Sequence, residues 1–235
     1  MRRQFLAATF VCAMFAGAAS AEQAVIVPSV HDFAAMLPSP PTPGSASEKD
    51  ELVILMNIQN HRSPSDIARA QADAANRNIF LFASIFGAKF NAKDLPATAA
   101  LSNIVEADEK ADIEPVKKLV PRLRPFAVDK DLHPVCPVKK TDDSYPSGHT
   151  MSGYLEALTL ASILPQEKDT ILARANEYAE NRLVCGVHHP SDLAAGKLLA
   201  YALFPILAED PHFQAARNAV QVELRKALNF QSAVQ

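Results

Sequence analysis

The chain has no tryptophan, only 7 glycines against 17 prolines, and three cysteines in 235 residues. Scarce glycine argues against a Gly-rich β architecture, and no stretch alternates apolar and polar residues convincingly at period two. No internal repeat recurs at a fixed spacing, so the sequence carries no repeat-array signature. Basic runs are lacking as well. With Lys+Arg 23 against Asp+Glu 26 the net charge is −3, and nucleic acid is not an expected partner, because there is little to neutralise its phosphates. No Cys/His/Asp cluster has metal-ligand spacing, and neither a metal nor another cofactor is expected. Beyond the N-terminal segment no apolar run is read as long enough to cross a membrane, since Lys197 and Pro205 interrupt the best one. The expectation is a chain that is not membrane-embedded. Self-association is left open.

What is present begins with a targeting pattern. Arg2 and Arg3 precede an apolar run from Phe5 to Phe15, and Ala19-Ser20-Ala21 is a small-residue cleavage site. Residues 1–21 are read as a signal peptide, and residues 22–235 as a single domain. Cys12 leaves with the signal. Cys136 and Cys185 remain as a disulfide candidate in an exported chain, the alternative being two buried thiols.

The domain opens with a Pro- and Ser-rich lead-in, residues 22–47, read as an extended arm. Helical periodicity follows. One helix runs from Ser47-Glu48 to about Asn60. Ser63-Pro64 has the form of an N-cap with Pro at N1, opening a helix that the spacing carries to Gly87. Asp94-Leu95-Pro96 starts the next, with Pro115 and Pro121 as expected breaks. Residues 126–146 read as a long loop, of the kind that is usually functional or mobile. Apolar helices are expected over Met151–Leu164, Glu167–Cys185, Ser191–Leu207 and Ala215–Phe230. The fold class is all-α, a compact helical bundle without significant sheet.

Three segments carry chemistry: Lys117–Pro125, Tyr145–His149 and Asn181–Asp192. Lys117, Arg124 and Arg182 supply cations for a many-oxygen anion, the arginines as planar forks. Ser147 and the Gly148 N–H stand at a helix entrance, where backbone donors and the helix dipole favour an anion. His149 and His188 are candidates for proton transfer and nucleophilic attack. His188 and Asp192 are four residues apart, so they share a face if a helix starts there, and a carboxylate on one ring nitrogen leaves the other free to attack. Arg122 and Lys118 are read as solvated surface charges, and His189 as at best a pocket wall.

The pattern Lys117-x6-Arg124-Pro125, Pro146-Ser147-Gly148-His149, Arg182-x5-His188-x3-Asp192 resembles the signature of the type 2 phosphatidic acid phosphatase and haloperoxidase superfamily. Arg124-Pro125-Phe126, Tyr145 to Thr150, Cys185-Gly-Val-His188 and the signal peptide are similar to class A bacterial non-specific acid phosphatases. One position departs: Asn181 stands where that family usually has Ser. The resemblance implies a periplasmic acid phosphatase acting on small-molecule phosphate monoesters, with phosphotransferase activity as an extension. It implies attack by His188 to form a phosphohistidine, orientation of His188 by Asp192, and His149 as acid and then base. Lys117, Arg124, Ser147, Gly148 and Arg182 would bind phosphate without a metal. A vanadate-dependent haloperoxidase and a non-catalytic anion-binding protein are the alternatives.

Overall fold

The computed structural model describes residues 30–228. The expected signal peptide lies outside them. The helices are α1 (Val30–Met36), α2 (Ala46–His61), α3 (Pro64–Ala75), α4 (Ala83–Phe86), α5 (Pro96–Leu119), α6 (Pro125–Val128), α7 (Gly148–Ile163), α8 (Lys168–Val184), α9 (Pro190–Glu209) and α10 (Pro211–Leu228). Among the described residues no strand forms, and an isolated bridge joins Arg122 to Asp143. The all-α expectation holds.

Helix α7 is the centre. Thirteen of its 16 residues are buried, and it packs mainly against α8 and α9. A helix apolar on all sides has to be enclosed by others. Its close approach to α9 depends on Gly196, where an added Cβ would sit 2.4 Å from the Ser147 carbonyl oxygen. Backbone and side chain cannot share that space, so a larger residue would push apart the two helix starts that bear the site.

The sequence reading needs four changes. The Pro-rich lead-in is not wholly extended, because Val30–Met36 is helical. The helix from Ser63 stops at Ala75 rather than Gly87. It begins as expected, with a capping box between Ser63 and Asp66. It ends where Asn76 and Asn78 offer the backbone other partners: Asn76 Oδ1 accepts from the Asn78 N–H, and Asn78 Oδ1 accepts from the Phe80 N–H. Pro115 does not break α5, which continues to Leu119. The carbonyl that Pro115 leaves without its donor belongs to Ala111, an exposed residue. Likewise Pro205 sits inside α9. That helix, Pro190–Glu209, is therefore one apolar element of 20 residues, long and apolar enough to cross a membrane by length and composition. Neither Lys197 nor Pro205 interrupts it, and the expectation that no such run exists is corrected.

The disulfide candidate is realised: Cys136 and Cys185 are bonded, closing a loop with sequence separation 49. It ties the loop after α6 to the end of α8.

The core also holds acids. Glu156, fully buried on α7, accepts from the Ser102 hydroxyl through Oε1 at 2.5 Å while its Oε2 has no partner. Burial pushes its pKa well above 4.5. Such a group holds its proton in the folded chain and gives it up more readily in the unfolded one. Stability therefore falls as pH rises above the unfolded value. Glu156→Gln mimics the protonated form. Its melting temperature should match wild type near pH 4.5 and exceed it near pH ~8. A gap that does not widen with pH would overturn this account.

Candidate active site

The second sequence segment builds the entrance of α7. Ser147 is the N-cap, and its hydroxyl accepts from the Thr150 N–H at 3.3 Å and from the Thr150 hydroxyl at 2.9 Å. Both acceptor positions of this hydroxyl are used within the cap. Gly148 opens the helix beside a cavity of about 460 Å3. A Cβ there would stand 3.2 Å from both Arg77 Nη2 and Glu109 Oε1, so glycine keeps the first helical N–H accessible.

Around this cavity stand Lys117, Arg124, Gly148, His149, Arg182 and His188. Six of the eight expected phosphate-binding and catalytic residues thus meet on one wall. Ser147 and Asp192 lie in the layer behind it, both with no exposed surface.

The cations differ in how they are held. Lys117, in the last turn of α5, donates to the Asp143 and Pro146 carbonyls at 2.5 and 2.7 Å. Burial lowers its pKa to about 8. Arg124 is fixed by the Val187 carbonyl and by Asp143, at 2.7 and 2.9 Å. Arg182 is the outlier. It is 2% exposed, it forms no ion pair among the described residues, and its Nε has no partner. Burial, with Arg124 and Arg77 nearby, lowers its pKa to about 10. It remains a cation, and a buried cation with no direct ion pair is costly. An anion in the cavity would supply one.

The imidazoles have defined tautomers. A guanidinium can only donate, so the 3.3 Å contact from Arg124 Nη1 to His188 Nε2 makes that nitrogen the unprotonated one. Nδ1 then carries the proton and donates to Asp192 Oδ2 at 3.3 Å. Burial drives the His188 pKa down to about 3, against the pull of Asp192 and with Arg124 and Arg182 adding to it. His188 is thus a neutral imidazole with its lone pair toward the cavity. His149 places Nε2 3.2 Å from the Ala74 carbonyl, which only accepts, so Nε2–H is occupied and Nδ1 is the exchangeable position. Burial, then Arg182 and Arg77, hold its pKa well below 6.5.

Asp192 is the anchor. Oδ1 accepts from Arg122 Nη1 at 2.6 Å, and Oδ2 from the Ser144 hydroxyl at 2.6 Å and the His189 N–H at 2.8 Å, besides His188. Burial alone would raise its pKa, but the hydrogen bond and charge of His188 and the Arg122 charge outweigh it, and the carboxyl lies far below its ordinary range.

Two assignments change, and the departing position finds its place. Arg122 is not a surface charge: its side chain is 6% exposed and bridges Asp192 and Glu51. Only tertiary packing brings its two carboxylate partners to it. His189 is not a pocket wall. It is fully buried at the N-cap of α9, with Nε2 on the Leu123 carbonyl. Asn181 does not face the phosphate cavity, since its Nδ2 donates to Asp73 on α3 at 2.7 Å. Ser144, Glu51 and Arg77 were missed altogether. Ser144 adjoins a recognised segment, which was a usable signal. Glu51 and Arg77 carry none, because they reach the site only through tertiary packing.

The Arg122 assignment is open to test. Arg122→Met would leave Asp192 and Glu51 as buried carboxylates without their cation. The expected loss is about 3–5 kcal/mol in urea unfolding, and a loss below about 1 kcal/mol would return Arg122 to the class of surface charges.

Comparison with known proteins matches this arrangement to relatives. The chain is 30% identical to a non-specific acid phosphatase of Providencia stuartii over 204 residues, covering 83% of this chain and 82% of that protein. It is 33% identical to a non-specific acid phosphatase of Salmonella typhimurium over 172 residues, covering 70% and 68%. An acid phosphatase of Zymomonas mobilis is 32% identical over 199 residues, covering 81% and 75%. Among solved structures, a transmembrane PAP2-type phosphatidylglycerolphosphate phosphatase from Bacillus subtilis gives a TM-score of 0.49 at 18% identity, over 76% of this chain and 90% of that one. Because α9 is long and apolar enough to cross a bilayer by length and composition, the expectation of a chain that is not membrane-embedded does not stand. The superfamily match itself covers residues 92–214, which include all three chemistry-bearing segments. The chain belongs to the PAP2 superfamily.

Proposed function

We propose that this chain is an acid phosphatase that hydrolyses a broad range of organic phosphate monoesters through a phosphohistidine. The observation that carries the reading is Arg182. It is a buried cation with an unpartnered Nε, on the same cavity as a neutral, oriented His188. A binding protein needs the cations but has no use for the nucleophile geometry.

The steps follow from the hydrogen bonds. The phosphoryl group settles among Lys117, Arg124, Arg182, the Ser147 hydroxyl and the Gly148 N–H. These donors take the charge that spreads over the equatorial oxygens. Arg124 Nη1 then exchanges its contact with His188 Nε2 for a phosphoryl oxygen. The Nε2 lone pair, released, attacks phosphorus. The N–P bond forms as the ester P–O bond breaks. His188 becomes cationic, and Asp192 behind it stabilises that charge. His149 Nδ1 gives its proton to the leaving alkoxide, then takes one from water, which attacks phosphorus and releases His188. An acceptor alcohol in place of water gives phosphotransfer. Charge neutralisation comes from side chains, and the reading calls for no metal.

The location proposed is the periplasm. The Arg2-Arg3 start and the Ala19-Ser20-Ala21 cleavage pattern support it, and the Cys136–Cys185 disulfide suits an oxidising compartment.

His188→Ala should lower turnover of a chromogenic monoester by about 10^4-fold or more. Wild type quenched during turnover of a 32P-labelled monoester should yield a phosphoenzyme stable to alkali and labile to acid, absent from the variant. Turnover by the variant close to wild type would sink the reading. The pH dependence has a definite sign. His149 donates only when doubly protonated, and its pKa lies below 6.5. So kcat/KM should fall as pH rises through neutrality, with its maximum on the acid side of 6.5. A maximum well above neutrality contradicts the assignment of His149.

A further inference from the structure

The proposed mechanism leaves two cations on the cavity wall without a role, the exposed Lys139 and Arg77, and Arg77 is the one held by an ion pair. Arg77 lies in the turn after α3, and α7 holds that turn in place. The Ser152 hydroxyl donates to the Arg77 carbonyl at 2.8 Å, and His149 Nε2 donates to the Ala74 carbonyl at 3.2 Å. The Arg77 guanidinium lines the cavity and reaches the Gly148 backbone. Its side chain is 36% exposed, unlike that of Arg124 at 8%. Glu109, buried on α5, holds it through one nitrogen, Nη2, at 2.8 Å. Nε and Nη1 form no other hydrogen bond among the described residues.

Position decides what this cation can serve. Arg124 touches the attacking nitrogen of His188. Arg77 stands instead beside Gly148 and shares its chain segment with the carbonyl that orients His149, the leaving-group acid. The two arginines therefore bracket the phosphoryl position from its nucleophile side and its leaving-group side. Arg77 is too exposed to be part of a closed cradle and too firmly held to be a free surface charge. Its charge also bears on His149, helping to depress that imidazole's pKa.

We propose that Arg77, held by Glu109 at the rim of the cavity, is a specificity-determining residue that receives an anionic group carried by the leaving portion of the substrate. The favoured substrates are those in which a second phosphoryl or a carboxylate lies close to the bond that breaks. Phosphoanhydrides and phosphate esters of anionic alcohols fit; esters of neutral alcohols gain nothing from Arg77. With a phosphoanhydride, the bond from His188 Nε2 to phosphorus forms as the bridging P–O bond breaks, and orthophosphate leaves on the Arg77 side. The inference rests on the phosphatase reading above.

The test is a ratio. For wild type, kcat/KM is measured with inorganic pyrophosphate, 3-phosphoglycerate and phenyl phosphate, each at its own optimum pH. The shared phosphoryl site cancels in the ratio of an anionic to a neutral leaving group. In Arg77→Met the ratio should fall about tenfold or more, the loss of one charge-assisted hydrogen bond, and Arg77→Lys should restore part of it. A fall for pyrophosphate alone identifies a phosphoryl subsite, and a fall for both identifies a general anion subsite. Arg77→Met/Glu109→Gln, which leaves no unpaired carboxylate, gives the same reading if the single variant does not fold. Unchanged ratios in a folded variant overturn the proposal. A wild type that turns over none of the three substrates overturns the phosphatase reading itself, and the inference with it.

Discussion

The carboxylate of Asp192 is the constraint on which the rest depends. A charge with no exposed surface survives only if it is paired and hydrogen-bonded. Here Arg122, Ser144, the His189 N–H and His188 all converge on it. The His189 contact caps α9, and the Asp192 carbonyl accepts from the Ser147 N–H at the start of α7. One residue therefore fixes the entry of two core helices and the ring of His188. Gly196 lets those helix starts come close enough for this to happen. Fold and site are the same object at this point.

That anchor also sorts charge by depth. Behind His188 lies a chain from Glu51 through Arg122 to Asp192, closed by Glu51 Oε1 accepting from the Ser191 N–H. In front of it lie Arg124, Arg182 and Lys117. The imidazole sits between an anion on one nitrogen and cations facing the other. Burial and the two arginines keep it neutral, while Asp192 keeps Nδ1 protonated, so the lone pair faces the cavity. Arg182 is buried with no ion pair among the described residues, and burial of that kind is costly to the fold.

Local chemistry is what sequence reveals best here. Lys117, Arg124, Gly148, His149, Arg182 and His188 were legible because each sits in a short motif of fixed spacing, and all six share the cavity. The Ser63–Asp66 capping box was legible for the same reason. What failed was long-range or competitive. Arg122 reads as an ordinary surface cation, and Arg77 carries no signal at all, until α9, α5 and α7 bring Asp192, Glu109 and Gly148 to them. Pro115 and Pro205 are strong breakers locally, yet packing along the rest of α5 and α9 outweighs one lost hydrogen bond each. Asn76 and Asn78 end α3 through side-chain bonds that apolar periodicity does not register.

The buried titratable groups tie the fold to acid in a specific way. Glu109, Asp112 and Glu156 are held protonated by burial, the first two up to about 7. Their folded forms bind protons that the unfolded chain has released, so stability is lost as pH rises from the unfolded carboxyl values toward neutrality. His149, His188 and His189 are shifted the other way, all below 6.5, chiefly by burial. There the unfolded chain binds the extra protons, so stability is lost as pH falls below 6.5. Between about 4.5 and 6.5 the two slopes have opposite signs and comparable numbers of groups, and they largely offset. Above that window the carboxyls act alone, and below it the histidines do, joined by Asp192 as its carboxylate is protonated. The fold is therefore least sensitive to pH in the mildly acidic range, where the raised carboxyls and the lowered histidines oppose each other.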